Sequence, residues 1–300
     1  MTFGAFLLIV FSAGLHASWN LLAKRNKMCV AFYALLGLSS CMLWQHVWFW
    51  TPVNVFSLPL RFFLCLGGVV LSEFLYCAWL TKTYRTMEIS TAYPMMRALP
   101  LIILPVITAI TGWGKPLSAF AIIGLAIVFI GCLLMPLKSF ADFRLKNYLN
   151  EHMLSILLVA CGISGYTLLD SQGQAIMRAA YPETKPAVIS LSYYVCRGTL
   201  VAASLFMLVF SRAEERKNLL DYIRTRNWIP ALAGVFSSLT YSSVLIAMNY
   251  VSNVTYVQIF RQLGLVIGVA GGILILKERC TATKIAGVIL ILTGLVISVL

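Results

Sequence analysis

Apolar residues run almost unbroken along this chain, in stretches of about twenty, and they do not alternate with a period of two. A helix rising 1.5 Å per residue needs about 20 mainly apolar residues to cross a hydrocarbon layer near 30 Å thick. That ruler marks ten spans, at 3–23, 29–50, 61–80, 89–110, 116–136, 153–175, 186–210, 228–248, 252–275 and 282–300. The connections are mostly short, which predicts antiparallel neighbours packed in an all-α bundle. Continuous apolar runs argue against a barrel, whose strands alternate over about ten residues. Pro94, Pro100 and Pro105 punctuate the fourth span and predict a kink there, since each removes a helix donor. The first stretch carries neither a basic lead nor a small-residue cleavage site, so it reads as a retained helix and not a signal peptide.

Composition supports lipid as the main solvent. Of 300 residues, 60% are hydrophobic and only 11% are charged, against roughly 25% in soluble domains. The net charge of +13 would suggest a nucleic-acid partner, but its distribution argues otherwise. Sixteen of the 23 lysines and arginines lie in the loops after odd-numbered spans or at their edges, among them Lys24, Arg25 and Lys27, and four lie likewise after even-numbered spans. Basic residues favour the cytoplasmic side, so this multi-pass protein is expected in a cytoplasmic (inner) membrane with both termini outside the cytoplasm. Anionic headgroups along that edge suffice to meet the charge, and no nucleic acid is needed. The eight cysteines fall mostly inside apolar runs without a CxxC pair, as small hydrophobes do, and no metal or cofactor is expected.

The two halves of the chain resemble each other. YPMMRALP (93–100) and YVQIFRQLG (256–264) each set an aromatic four or five residues before an arginine. Gly124 and Gly131 correspond to Gly287 and Gly294 at an offset of 163, and Arg97 corresponds to Arg261 at 164. Five spans per copy is an odd number, so the second copy must enter the membrane upside down. The expectation is two inverted five-helix repeats, 1–137 and 152–300, joined by a cytoplasmic linker at 138–151. Inverted repeats are a recurrent plan of secondary transporters.

Trp19–Asn20 late in the first span, Ala92 to Pro100, RQLGLVIGVAGGILILKE from Arg261 to Glu278, and GVILILTG at 287–294 carry a resemblance. On these residues the chain resembles ten-helix members of the drug/metabolite transporter (DMT) superfamily, of the EamA type. Glu278 occupies the acidic position that ends the family's late stretch, whereas Lys277 replaces a glycine and Lys115 stands at the equivalent site of the first half. The family pattern implies cytoplasmic termini, contrary to the charge count, and the lopsided count is preferred here. The resemblance also implies a central cavity lined by spans 1, 3, 4, 6, 8 and 9.

A charged side chain at membrane depth costs about 2.5–3.5 kcal/mol on insertion scales, so it should face water or a partner. Glu73, Arg97, Asp170, Arg197 and Arg261 are the candidates. Helical spacing groups them with neighbours. His16, Trp19 and Asn20 share one side of the first span, Glu73 shares one with Tyr76, Tyr93 precedes Arg97 by a turn, and Tyr166 precedes Asp170 likewise. Tyr241 lies in the hydroxyl-rich SSLTYSS segment, and Gln258 and Arg261 in the ninth span. The implied cavity favours His16, Trp19, Asn20, Glu73, Tyr93, Arg97, Asp170, Tyr241, Gln258 and Arg261, and favours Arg197 less. Each has a structural alternative: Arg197 can pair with Asp170 only to neutralise it, Arg97 and Arg261 can cap freed carbonyls, and Trp19 can be an interfacial belt residue like Trp48 and Trp50. Glu73 and then Asp170 are the candidates for proton coupling. Gly264, Gly268 and Gly272 form a small-residue stripe for close helix packing, which leaves monomer and homodimer open.

Rings beside charges suit a small organic solute, metabolite or drug-like, with apolar and ionisable parts. The expected function is a secondary transporter working by alternating access, for export or exchange. The alternative is an integral membrane enzyme acting on a lipid-linked substrate, with His16 and Glu73 as an acid/base pair. Against it, no HExxH or paired acidic motif is present, and no GxxxxGK[ST] loop for a nucleotide. The protein is therefore expected not to be an enzyme.

Overall fold

A computed structural model describes residues 2–24, 26, 29–87, 89–143, 152–274, 277 and 280–300, with side chains at 20–24, 85 and 89–91 outside the description. Its described helices are α1 (Phe3–Lys24), α2 (Val30–Met42), α3 (Leu60–Thr86), α4 (Ile89–Ala98), α5 (Pro100–Thr111), α6 (Ala119–Leu134), α7 (Met153–Ala180), α8 (Pro186–Ser211), α9 (Ala213–Arg224), α10 (Ile229–Met248), α11 (Val254–Phe260), α12 (Leu263–Leu274) and α13 (Ala282–Ile297). Among the described residues, seven helical stretches are long and apolar enough to cross a membrane, and Phe3–Trp19, Ala119–Leu134 and Ala282–Ile297 are shorter apolar helices. This is an all-α polytopic membrane protein of about ten apolar spans.

The ends of these helices follow local chemistry. Ser118 accepts the Ala121 N–H at 3.0 Å and starts α6, Asn253 accepts Thr255 N–H at 2.9 Å and starts α11, and Thr281 accepts Lys284 N–H at 3.3 Å and starts α13. The exposed and buried faces are the reverse of a soluble protein's. On α13, Ile285, Ile289, Leu292 and Val296 form an exposed apolar stripe at helical spacing, while Gly287, Ile291, Gly294 and Leu295 face inward. Asp170, Gln174 and Gln258 are fully buried. Large apolar side chains outside and charge inside are the arrangement lipid demands.

Two of the predicted single spans are broken helices. The fourth divides at Leu99 between α4 and α5, as Pro100 requires. The ninth divides at Arg261–Gln262 with no proline present, a break the apolar pattern did not indicate. There the chain tightens, Gly264 N–H donating to the Arg261 carbonyl at 3.1 Å and Leu265 N–H to Gln262 at 2.9 Å. The basic segment after the seventh span, expected to be loop, contains α9, an amphipathic helix that packs on α2 and α8. Its Glu215 carboxylate accepts the Ala31 N–H at 3.0 Å and so caps α2, whose own N-cap residue Cys29 offers no side-chain cap.

Packing runs between the halves of the chain. α3 lies along α7, α1 along α10, α6 along α13, and α2 against both α8 and α10. The glycine stripe of the ninth span behaves only partly as expected. Gly264 approaches Ala13 of α1, but a methyl on Gly268 would meet nothing within 4 Å.

Candidate functional site in the bundle centre

A cavity of ≈ 100 Å³ lies among α1, α2, α3, α7, α8 and α10, with Arg261 reaching it from the break of the ninth span. Of the candidates from sequence, His16, Trp19, Glu73, Tyr76, Tyr166, Arg197, Tyr241 and Arg261 line it. Trp19 is buried, not interfacial: its indole Nε1 donates to His16 Nδ1 at 3.1 Å. His16 Nδ1 is thus an acceptor, and the ring stacks on Tyr93 at 6.5 Å between centroids. Tyr76, Tyr166 and Tyr241 form an edge-to-face row, each pair of centroids 5.9 Å apart.

At the centre of the site stands Arg197, the residue the resemblance had favoured least. Its Nη2 donates to Glu73 Oε2 at 2.6 Å, and its Nε donates to both Asp170 oxygens at 3.2 Å. The guanidinium also stands 4.4 Å from the Tyr241 ring and 5.7 Å from Tyr166. The two acids are not equivalent. Asp170 is fully buried and also accepts from Tyr193 at 2.9 Å and from Tyr241, so both of its oxygens are saturated. Glu73 keeps 18% of its side chain exposed and accepts from Arg197 alone among the described hydrogen bonds. The expected Arg197–Asp170 pair is therefore part of a three-residue cluster that joins α3, α7 and α8.

Five candidates stand behind the lining or outside the description. Asp170 is shielded by Arg197, and Tyr93 lies beneath Arg97, whose guanidinium is 5.8 Å from its ring. Arg97 Nη2 donates to the Arg261 carbonyl at 2.8 Å, so its expected capping role is met across the bundle, at the break of the other span. Gln262 returns the contact by donating to the Arg97 carbonyl at 3.2 Å. Gln258 is fully buried and does not line the cavity, and neither of its amide atoms has a partner among the described residues. The Asn20 side chain, like Glu278, lies outside the described residues.

Sequence reasoning missed Tyr33 and Tyr194, which line the cavity from α2 and α8. Tyr194 Oη and Ser40 Oγ share a 2.5 Å hydrogen bond. A signal was present: Gly37, Ser40 and Cys41 make a small-residue face on α2, and Gly37 packs on Ala202 and Leu205 of α8. Such a face brings the two helices close and carries their tyrosines inward. A larger groove of ≈ 790 Å³ opens between the start of α1 and the end of α13, but its described lining, including Phe3, Phe6, Phe260 and Leu300, holds no charged side chain.

The geometry offers little to enzyme chemistry. His16 and Glu73 share the cavity, but Nδ1 of the first is bound to Trp19 and the second to Arg197. Among the described residues no group of three His, Cys, Asp or Glu is placed to hold a metal ion.

Comparison with known proteins agrees. Residues 188–300 match the model of the EamA-like transporter family, a family of transporters and not of enzymes. No curated protein matches the chain. Among 28 matching chains of solved structures, one crystal structure whose description names no function is 15% identical with a TM-score of 0.65, covering 99% of this chain and 98% of its own. At that identity it shows a shared fold. The chain is a polytopic membrane protein whose residues 188–300 form an EamA-like domain.

Proposed function

We propose that this protein is a secondary carrier that moves a small organic solute across the cytoplasmic membrane by alternating access. The two moving bodies are the five-span units 1–137 and 152–300, inserted with opposite topology and joined through 138–151. One observation carries the reading: the two broken spans meet behind the cavity wall, where Arg97 donates to the carbonyl of the cavity-lining Arg261, and the two arginines occupy matching positions of the two halves. Discontinuous helices at corresponding positions are how carriers of this plan build a site near mid-membrane.

The packing scheme supports two related units. Adding five to each span number turns the contact of spans 1 and 8 into that of 6 and 3, and both contacts exist as α1 with α10 and α7 with α3. Spans 2 with 7 and 5 with 10 map onto themselves, as α2 with α8 and α6 with α13. The cavity of ≈ 100 Å³ is small against the ~300–1,000 Å³ of ordinary ligand pockets, so this conformation admits only a compact solute. Opening to either side enlarges it.

His16, Trp19, Tyr76, Tyr166, Tyr241, Glu73, Arg197 and Arg261 are the binding shell in this reading. Tyr93, Arg97, Asp170 and Gln258 support it from behind. Glu73 is the proton-coupling residue because it faces the cavity with one partner, whereas the saturated Asp170 holds Arg197 in place. The basic loops put both termini outside the cytoplasm. Export or exchange is the expected direction. The test is solute flux in reconstituted vesicles: it should follow the gradient, and its proton-driven part should vanish with Glu73→Gln in a protein that still folds. Chemical conversion of a lipid without any gradient would overturn the reading. In a variant lacking the other cysteines, an impermeant thiol reagent should reach the exposed Cys280 only from the cytoplasmic face.

A further inference from the structure

The arginines around this cavity are unequally satisfied. Arg197 holds both described ion pairs of the site, with Glu73 and Asp170. Arg261 has no acidic partner among the described residues. It is 4% exposed, it lines the cavity, and its Nη1 has no hydrogen-bond partner among the described residues. Arg97 is buried to the same degree, commits Nη2 to the Arg261 carbonyl, and leaves its Nε without a partner among the described residues. Gln258, just ahead of Arg261 on α11, is fully buried with both amide atoms unpartnered among the described residues.

A guanidinium carries five donors, and buried donors are nearly always used. Both arginines do sit at helix C-terminal ends, Arg97 in the last turn of α4 and Arg261 at the C-cap of α11. A cation is favoured there by a partial charge of roughly −0.5. That explains why the two are tolerated close together; it does not employ the remaining donors. Three arginines against two carboxylates leave one positive charge in excess, and both described ion pairs of the site are made by Arg197. Arg261 feels Glu73 through space but forms no ion pair with it among the described residues.

The geometry points to an anion site: the cavity takes a compact organic acid, its carboxylate or phosphoryl group on Arg261 and its apolar part against the Tyr166–Tyr241 pair. Arg261 is the binding residue, able to give parallel hydrogen bonds to two oxygens. Arg97 is a positioning residue, which fixes the Arg261 backbone and adds to the field. This names the solute class of the carrier proposed above and rests on that reading for transport, though not for binding.

The test is thermal stabilisation of the purified full chain in detergent by four compact probes, each up to tens of millimolar. The probes are butyrate, inorganic phosphate, butyramide and butylammonium. A ligand that binds only the folded state raises the melting temperature. Butyrate, phosphate or both should stabilise, and the neutral and cationic isosteres should not. Arg261→Gln should weaken the anion by about tenfold or more, the usual weight of a hydrogen bond to a charged group, and Arg261→Lys should restore part of it. Equal stabilisation by butyramide or butylammonium, no stabilisation by either anion, or an unaltered response in Arg261→Gln would each overturn the proposal. Should Arg261→Gln fail to fold, the contrast between butyrate and butyramide on the unaltered protein decides. Flux in vesicles separates the two readings. Anion binding without flux refutes the carrier and leaves the site, while flux confined to neutral or cationic solutes refutes the site and leaves the carrier.

Discussion

A methyl group on Gly294 would stand 2.6 Å from the carbonyl oxygen of Gly124, so α13 and α6 touch backbone to backbone at this pair. The second pair repeats it in crossed order, since a methyl on Gly287 would lie 2.8 Å from the Gly131 carbonyl. Lipid gives no hydrophobic drive between helices, so close van der Waals approach is what holds them. Gly294→Ala must force the helices apart and is expected to destabilise by about 1–3 kcal/mol. Gly268→Ala enters open space and should be neutral or gain up to about 1 kcal/mol of helix propensity. Thermal unfolding in detergent checks both, and equal melting temperatures for the two variants would contradict the packing.

The Glu73–Arg197–Asp170 cluster predicts a strong asymmetry between breaking a buried pair and removing it. Arg197→Met leaves two carboxylates at membrane depth without their cation, which should cost about 3–5 kcal/mol. Combining it with Glu73→Gln and Asp170→Asn removes the uncompensated charge, and much of the stability should return. Melting curves of the single and triple variants provide the comparison. A triple variant no more stable than the single would place the cost in packing instead of charge.

The two acids should also separate by function. Glu73→Gln is expected to fold normally and to lose flux driven by a proton gradient, while solute exchange at equal pH persists. Asp170→Asn cannot accept every donor that now converges on it from Tyr193, Tyr241 and Arg197. It should lower stability before it alters coupling. Paired flux and melting measurements on both variants test this, and the reverse pattern would assign the proton to Asp170.

Glu215 ties the amphipathic α9 to the start of α2. Removing its carboxylate in Glu215→Ala leaves the Ala31 N–H without that cap and is expected to cost about 1 kcal/mol. Faster hydrogen exchange should appear at the first turn of α2 and in α9, with the centre of the bundle unchanged. Uniformly faster exchange would mean that Glu215 supports the whole fold.

Much of this architecture was written locally. Ten apolar stretches follow from composition and length alone, because a hydrocarbon layer tests every segment separately for about twenty residues of oil. Arg97, Arg197, Arg261, Glu73 and Asp170 stood out for the same reason, each an expensive group in such a segment. The glycines at 124, 131, 287 and 294 showed the likeness of the two halves, though not that the helices carrying them touch there. Pro100 announced the first break.

Tertiary structure alone decided who meets whom. Glu73 and Arg197 are 124 residues apart, and nothing near either one in the chain says that they pair, or that Arg261 does not. Trp19 reads equally well as a belt residue or a buried one until His16 is seen to accept its N–H. The break at Arg261–Gln262 was invisible because no proline causes it. Its carbonyl is held by Arg97 and its glutamine by the Arg97 carbonyl, both from a span about 164 residues earlier. Burial in lipid is a property of one segment and can be read from that segment; charge compensation is a property of pairs, and only the folded chain brings the pairs together.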